Sequence, residues 1–328
     1  MLRQRGIIAA LAAAWFVFAL EARAQTSTAT FPERPMRLVV PFAAGGGIDI
    51  ITRVVAQQLG VIYGKPVIVE NHVGSTGLNA VQFVGAQPND GYTLLVGSPS
   101  PFSVLTALRN DLPYNNLQDF VPVTLFGVAP EALTVNPGLP VKTLPELIAY
   151  LKSSPGKVNF GNTGPGGLPH LSSELFAQLS DTKINHVPYR GTAPSVADVI
   201  SGHIQGTIDA LISQLAAIKQ GQLRVLGTTL KQRSPALPDI PTIDEILPGY
   251  EAISWVGLFA APGTSSDLVN KLQQDVRKVV TSSEFRDRMA TLATVADGRS
   301  PQEFAAFVKD DIARWRKVGQ QGQIKLQQ

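Results

Sequence analysis

Between Arg37 and Leu59 an apolar run, RLVVPF, breaks into AAGGGID and resumes as the helix-like IITRVVAQQL. A strand, a glycine turn and an amphipathic helix in that order are typical of a parallel α/β sheet. They bring backbone N–H groups and a helix N-terminus to one point, which suits an anion. The turn carries no Lys, Arg or His. Because a phosphate site usually adds a fixed cation, this turn favours a carboxylate held by the backbone alone.

The same alternation continues along the chain. The first part predicts strands at RLVVPF, PVIVE and YTLLVG and helices at 50–59, 78–86 and 103–108. The second part predicts strands at EALTVN, VNFGNTG, INHVPY, GTIDALI and LRVLGTT, and helices at TLPELIAYLKSS, at 170–180 and from about 194. Strands that alternate with helices in this way predict mainly parallel sheets covered by helices on both faces.

The pattern changes in the last part of the chain. After Tyr250 the apolar segment AISWVGLFAAPG leads into two long amphipathic helices, at 265–280 and at 301–318. Because these helices have no strands of their own, we expect them to pack back onto the first sheet.

The chain therefore crosses twice between two lobes, near 127–132 and near 250–256. These crossings assign 31–128 and 254–328 to lobe 1 and 129–253 to lobe 2. Two α/β lobes joined by two crossing segments enclose a hinged cleft, into which helix N-termini from both lobes can point.

Residues 1–24 predict a cleavable secretion signal. Two arginines precede an apolar stretch of 14 residues, Ile7 to Leu20, and Ala22-Arg23-Ala24 matches the site of signal peptidase. A membrane anchor is the alternative, but a spanning helix needs about 20 apolar residues. We therefore expect a periplasmic protein cleaved before Gln25, and the absence of cysteine agrees with export.

The charge balance excludes a surface built for polyanions. The formal net charge of the whole chain is +3, and 25 basic and 24 acidic side chains are left when residues 1–24 are removed. No stretch of sequence carries the clustered Lys and Arg of a nucleic-acid-binding face, so no nucleic-acid partner is expected.

Two further junctions repeat the glycine turn between a strand and a helix. They are NFGNTGPGGLPH at 159–170 and VPYRGTAPSV at 187–196. Each loop taken alone is also explained by a tight turn that needs a positive φ angle. Three such junctions in a two-lobed fold together favour one shared ligand pocket.

Many segments resemble one family. They include FPERPMRLVVPFAAGGGID, KPVIVENHVGSTG, PNDGYTLLVGS, HVPYRGTAPSVADVISGHI, KQRSPALPDIPT and SWVGLFAAPGT. From Phe31 to the helix EFAAFVKDDIARWRKV, the chain resembles the Bug proteins, also called the TctC family. These proteins are extracytoplasmic solute receptors of tripartite tricarboxylate transport systems.

The resemblance implies an α/β, two-lobed periplasmic binding protein-like fold (type II). Each lobe is a mainly parallel sheet flanked by helices, and the ligand cleft lies between the lobes. The implied function is that of a monomeric receptor that delivers a small organic carboxylate to membrane permease subunits, without catalytic residues, metal or cofactor. A sensor kinase is the alternative partner, because transport and signalling would use the same closed surface.

The family's ligand contacts, carried over residue by residue, give most of the candidate site. Ser98 is added because it follows the strand YTLLVG, although a hydroxyl that satisfies its own turn explains it equally well. The candidates are Phe42, Ala43, Gly46, Gly47, Asp49, Ser98, Asn162, Thr163, Gly164, His170, Tyr189, Gly191, Thr192, Ala193 and Asp209. Of these, Asp49 is expected to cap the following helix, and for His170 a structural hydrogen bond is favoured.

Departures from the family pattern indicate the ligand class. Relatives often carry a hydroxyl residue at the position of Ile48 and around Gly167 and Leu168, and an Asn at the position of Ala210. Each exchange removes a hydrogen-bond donor. The ligand is therefore expected to be an aromatic or aliphatic acid rather than citrate.

Enzyme motifs are incomplete in this chain. Gly45-x-Gly47 imitates a dinucleotide fingerprint, but Ile50 stands where its third glycine would be. The segment GVIYGKP at 60–66 is one residue shorter than a P-loop, and we expect a helix to end at Gly60 there. A secreted hydrolase is an alternative without support, because neither a G-x-S-x-G nucleophile nor histidines at metal-ligand spacing occur.

Overall fold

The computed structural model describes residues 31–321 and residue 324. Ten strands in this part of the chain form one mixed sheet. The strands are β1 (Met36–Val40), β2 (Val67–Asn71), β3 (Thr93–Gly97), β4 (Val121–Val135), β5 (Asn159–Asn162), β6 (Asn185–Pro188), β7 (Gly206–Ala210), β8 (Arg224–Thr228), β9 (Ile253–Ala260) and β10 (Val295–Ala296).

Helices cover both faces of the sheet. A 3₁₀ turn at Ser75–Gly77 and a π turn at Ser100–Val104 add to them. The α-helices are α1 (Gly47–Tyr63), α2 (Leu78–Gly85), α3 (Leu105–Leu108), α4 (Asn116–Asp119), α5 (Leu144–Ser153), α6 (Leu168–Ser180), α7 (Thr192–Ser201), α8 (Leu211–Lys219), α9 (Ser266–Val280), α10 (Ser283–Thr291) and α11 (Pro301–Gln321).

Strand β4 connects the two ends of the sheet, because its 15 residues pair with different neighbours along its length. Residues 121–130 pair antiparallel with β9, and residues 131–135 pair antiparallel with β7. We call β1, β2, β3, β9, β10 and the first end of β4 the first half-sheet. The second half-sheet contains β5, β6, β7, β8 and the other end of β4.

Parallel pairing places the glycine loops at the ends of neighbouring strands. In the first half-sheet β1 lies between β2 and β3, both parallel to it. In the second half-sheet β5 lies between β6 and β7, again in parallel. Because parallel strands end at the same edge of a sheet, the glycine loops after β1, β5 and β6 each start at such an edge.

Apolar side chains of the helices fill both faces of each half-sheet. In the first, α1 and α9 pack with Leu38 and Leu94 on one face, while α2 and α11 pack with Val39 and Leu95 on the other. In the second, α5 and α6 share a core with Leu133, and α7 and α8 enclose a smaller cluster. The expected cover of helices on both faces is therefore observed.

The two long helices near the end of the chain pack back as expected. α9 contributes Leu272 and Val276 to the core beside β1, and α11 contributes Phe304 to the opposite core. The far end of α11 reaches further than expected, because Trp315 and Val318 belong to the core shared with the second half-sheet.

Several element bounds differ from expectation. α1 passes through Gly60 and ends at Tyr63, because Gly64 takes the left-handed conformation that closes the helix, with φ of 60°. The segment GTIDALI is only partly a strand, because α8 begins at Leu211 directly after Ala210. An apolar run of this length does not distinguish a buried strand from the first turn of a buried helix.

The expected secretion signal, residues 1–24, lies outside the described residues. Within residues 31–321 and 324, no helix combines the length and apolar character that crossing a membrane requires. The lobe bounds at 31–128, 129–253 and 254–328 stay a prediction.

Candidate functional site

The glycine turn after β1 is fixed by a buried carboxylate. Asp49 is 2% exposed, and its Oδ2 accepts a hydrogen bond of 3.0 Å from the Gly45 N–H. Arg53 pairs with both oxygens of this carboxylate at 2.9 Å, and Asn71 Nδ2 donates both to it and to the Phe42 carbonyl. Asp49 thus stabilises the conformation of the glycine turn through its hydrogen bonds to the Gly45 N–H, Arg53 and Asn71.

The pKa of Asp49 reflects these hydrogen bonds. Burial alone would raise it, but the hydrogen bonds from Arg53, the Gly45 N–H and Asn71 hold it below the usual value for an aspartic acid. Since the charge of Asp49 is already paired with Arg53, the carboxylate opposes an incoming anion only weakly.

Three helices begin at this edge of the sheet without a capping side chain. α1 begins after Gly46, α6 after Gly167 and α7 after Gly191. The first N–H groups of a helix have no partner within the helix. Leu168 N donates 3.0 Å to Ser100 Oγ, so one of these groups already has a partner. The helix ends supply backbone donors and partial positive charge for an anion.

These elements surround a cleft of about 500 Å³, a volume that includes its open mouth. Residues from both half-sheets line it, so the cleft lies where the two meet. The lining residues are Phe42, Ala43, Gly46, Gly47, Ile48, Asp49, Ser98, Pro99, Ser100, Glu131, Thr163, Leu168, Pro169, Thr192, Asp209, Ala210 and Ser254.

Loops from the two half-sheets touch across the cleft. Thr76 Oγ1 donates 3.1 Å to the Pro165 carbonyl. Gly47 lies so close to α8 that a Cβ added to it would be 2.5 Å from Ile212 Cγ2. A Cβ on Gly191 would be 3.2 Å from that of Ala43. Glycine at Gly47 permits this close approach, and the two half-sheets are in contact on both sides of the cleft.

Polar side chains in the cleft lining have unused hydrogen-bonding capacity. The hydroxyl oxygens of Ser98 and Thr163 are buried, and neither has a partner within the described residues. Buried polar groups are usually satisfied, and such exceptions are common where a ligand binds. Both hydroxyls can donate to a carboxylate.

Two more carboxyl groups lie in the lining. Glu131 on β4 is 1% exposed and accepts a hydrogen bond from Ser172 Oγ. Asp209 on β7 is 2% exposed, and its Oδ1 accepts 2.8 Å from Thr192 Oγ1 and 2.7 Å from the Ala210 N–H. Asp209 Oδ2 is buried and has no partner among the described residues.

Burial dominates the protonation of both groups. It raises the pKa of Asp209 to about 6, although the hydrogen bonds from Ala210 and Thr192 oppose the shift. Burial also raises the pKa of Glu131 well above its usual range, and the charge of Asp209 raises it further. Removing a carboxylate from water disfavours its charged form.

The cleft contains nine of the fifteen residues expected from the sequence. These are Phe42, Ala43, Gly46, Gly47, Asp49, Ser98, Thr163, Thr192 and Asp209. Gly164 and Tyr189 line a neighbouring pocket that opens beside Phe42 and Thr163 and also contains Arg190. Asn162, Gly191, Ala193 and His170 are not part of either lining.

The residues outside the lining shape the loops. Asn162 Oδ1 accepts 2.9 Å from the Gly164 N–H and holds that turn, while Gly191 makes the contact with Ala43 described above. Ala193 is exposed on α7. Ligand contact by Asn162, Gly191 and Ala193 stays a prediction.

His170 belongs to a cluster with Glu174 and His186. The Nε2 atoms of His186 and His170 lie 3.0 Å and 3.7 Å from Glu174 Oε1. Burial and the neighbouring His186 lower the pKa of His170 to about 4, so it is neutral at pH 7 and its Nδ1 accepts 3.3 Å from the Gly166 N–H. The favoured structural hydrogen bond of His170 is thus present.

The three side chains offer donor atoms within 4.8 Å of one another, of types that zinc accepts. Sequence spacing missed this cluster because His186 reaches the other two residues from a different element, β6. The contacts of His186 and His170 with Glu174 Oε1 account for the arrangement.

Glu131 lines the cleft, and the sequence reasoning missed it. A signal was present, because a single acidic residue stands in the otherwise uncharged segment VTLFGVAPEALTV. Charged side chains are almost never fully buried without a partner or a role. Pro99, Pro169 and Ser254 also line the cleft, but nothing in their sequence context marks them as candidates.

Comparison with known proteins identifies the family. The model of the tripartite tricarboxylate transporter family receptor, TctC, matches residues 51–324. The chain belongs to the TctC family. BugT from Bordetella pertussis is 33% identical over 92% of this chain and 94% of its own. As TctC members are solute-binding receptors, the predicted class of non-enzymatic binding protein is confirmed.

Solved TctC-type structures confirm the two-lobed periplasmic binding protein fold. Rpa4515 from R. palustris, solved with adipate, has a TM-score of 0.87 and 33% identity over 90% of this chain and 99% of its own. MatC from Rhodopseudomonas palustris, solved with bound malate, has a TM-score of 0.84 and 31% identity over 88% and 99% of the two chains.

Replacing Asp49 by Ala should destabilise the protein by about 1–3 kcal/mol, because the Gly45 N–H and Arg53 lose a buried charged partner. Urea unfolding measures this, with Asp310→Ala on the exposed side of α11 as the control. The difference from wild type should shrink as the pH falls below 3.8 and through the lower pKa of Asp49 in the folded protein, because only the charged form of Asp49 stabilises the fold. Equal effects of the two substitutions would contradict the stabilising role of Asp49.

Proposed function

We propose that this TctC protein is a periplasmic receptor that captures a small organic carboxylate between its two lobes and delivers it to a tripartite tricarboxylate-type permease. The observation that carries the proposal is the cleft itself. The beginnings of α1, α6 and α7 meet there, beside the hydroxyls of Ser98 and Thr163, which have no partner among the described residues. The family description supports the permease partner. The signal-like residues 1–24 support the location.

The energetics require the lobes to close. A helix N-terminus contributes about 0.3–1 kcal/mol to binding an anion, or about 2 kcal/mol when partly buried. A micromolar dissociation constant corresponds to about 8 kcal/mol. Hydrogen bonds to a charged group add roughly 1.5–3 kcal/mol each. These contributions are large only where water is excluded, and only the closed conformation excludes it.

The lining favours an aliphatic or aromatic acid over citrate. Phe42, Ile48, Leu168 and Pro169 present apolar surface beside the helix N-termini. A ligand with one well-bound carboxylate and an apolar remainder matches that surface. Citrate would bring further carboxylates towards Glu131 and Asp209. A relative of similar fold was solved with adipate, an aliphatic dicarboxylic acid that has one carboxylate fewer than citrate and no hydroxyl group.

A thermal-shift and calorimetric panel tests the ligand class. Adipate and benzoate should raise the melting temperature more than citrate does at the same concentration, because a ligand that binds more tightly stabilises the folded state more. A ligand at 100 times its dissociation constant contributes about 2.7 kcal/mol. Isothermal titration gives the affinities. If citrate bound clearly more tightly than both acids, the proposed ligand class would be wrong. If no carboxylate in the panel bound, the proposed function would be wrong.

Gly47→Ala tests closure. The new methyl group would meet Ile212 in the closed conformation, and overpacking of about 1–3 kcal/mol should weaken binding of the best acid in the panel by about tenfold or more. Alanine is a better helix former than glycine, so the ligand-free protein should not lose stability. Gly60→Ala in the same helix is the matched control, since its methyl group has room. Equal affinities of the two variants would exclude Gly47 from closure.

A further inference from the structure

The cleft combines features that conflict for a carboxylate receptor. Three carboxyl groups line it, and the same lining contains no Lys, Arg or His among the described residues. Asp49 is neutralised by Arg53, but Glu131 and Asp209 have no cationic partner within the described residues. A ligand carboxylate entering the closed cleft would therefore meet like charges in a space that excludes water.

Asp209 faces this space with one oxygen unused. Its Oδ1 accepts from Thr192 Oγ1 and the Ala210 N–H, whereas Oδ2 is buried and has no partner in the part of the chain that the structure describes. A protonated Oδ2 can donate one hydrogen bond to an anion, but an ionised Oδ2 can only accept. An unused acceptor beside a bound anion would be repelled, while an unused donor would hold the anion.

We propose that Asp209 binds the ligand in its neutral form, with Oδ2–H donating to the ligand carboxylate, so that capture of the anion takes up one proton. The inference rests on the proposed carboxylate-receptor function and assigns a new binding role within it. The proton is taken from solvent and stays on Asp209, and no covalent bond to the ligand forms.

The groups around Asp209 favour its neutral form when an anion binds. β4 presents Glu131, and α8 presents Gln214, whose Nε2 donates to the Asp209 carbonyl. α7 presents Thr192, and across the cleft α1 presents Asp49 with its paired Arg53. Tyr250 lies near Glu131 and donates to the Ser172 carbonyl.

None of these groups is a cation free to stabilise an ionised Asp209. Its pKa of about 6 in the ligand-free protein means that it is mostly ionised at pH 7 but is neutralised at a small energetic cost. Burial and the charge of Asp209 also raise the pKa of Glu131. Glu131 Oε2 already accepts from Ser172 Oγ, whereas Asp209 Oδ2 is buried and has no partner among the described residues, so the proton is assigned to Asp209.

Titration calorimetry with adipate and benzoate tests the proposal on the wild-type protein. Between about pH 6.5 and about pH 8, uptake of one proton predicts that affinity rises roughly tenfold for each unit by which the pH falls. Repeating the titration in two buffers of different ionisation enthalpy should give close to one proton taken up per ligand near pH 8.

Variants assign the proton to its residue. Asp209→Asn keeps the shape and a permanent donor, so its affinity near pH 8 should equal or exceed that of wild type and should not change with pH. A merely structural Asp209 would instead lose affinity at every pH. Glu131→Gln should retain the wild-type slope, and Asp111→Asn, at an exposed position paired with Arg109, is the unaffected control.

Two results would overturn the proposal while leaving the receptor function intact. One is carboxylate binding by the wild type without proton uptake and with an affinity independent of pH. The other is an affinity for these acids that rises with pH, as expected if the ionised form of Asp209 were the form that binds. If neither these acids nor any other carboxylate bound at any pH, the proposed function itself would fail.

Discussion

Binding the proposed anion without a basic side chain is the constraint on which our account of this structure depends. The cleft lining offers backbone N–H groups, helix N-termini and hydroxyls, each of which contributes modestly to binding in water. Their combined effect becomes large only when several converge and water is excluded. Convergence requires loops of fixed shape, and exclusion of water requires two surfaces that meet closely.

The fold supplies both conditions. Parallel strands bring the glycine loops to common edges of the two half-sheets, and β4 joins those half-sheets along one continuous strand. Asp49 holds the first loop from behind, and His170 accepts from the backbone of the second. Because Gly47 and Gly191 have no Cβ, the loops can approach each other across the cleft.

The sequence predicted the parts of the site that depend on local pattern. Strand, glycine and helix in succession marked all three loops, and the family resemblance selected residues within them. Glu131 was missed because its environment is created by β7 and α6, which lie far from it in sequence. The cluster of His170, Glu174 and His186 was missed for the same reason. Long-range packing, not local propensity, decides both.

The central claim is that a carboxylate is enclosed between the two half-sheets by backbone and hydroxyl donors. A crystal structure of the protein with adipate tests it most directly. The account predicts one ligand carboxylate within hydrogen-bond distance of the N–H groups at Gly46 and Gly47, of Thr163 Oγ1 and of Asp209 Oδ2, with the lobes closed. Adipate held instead by Arg190 in the neighbouring pocket, or bound between open lobes, would contradict it.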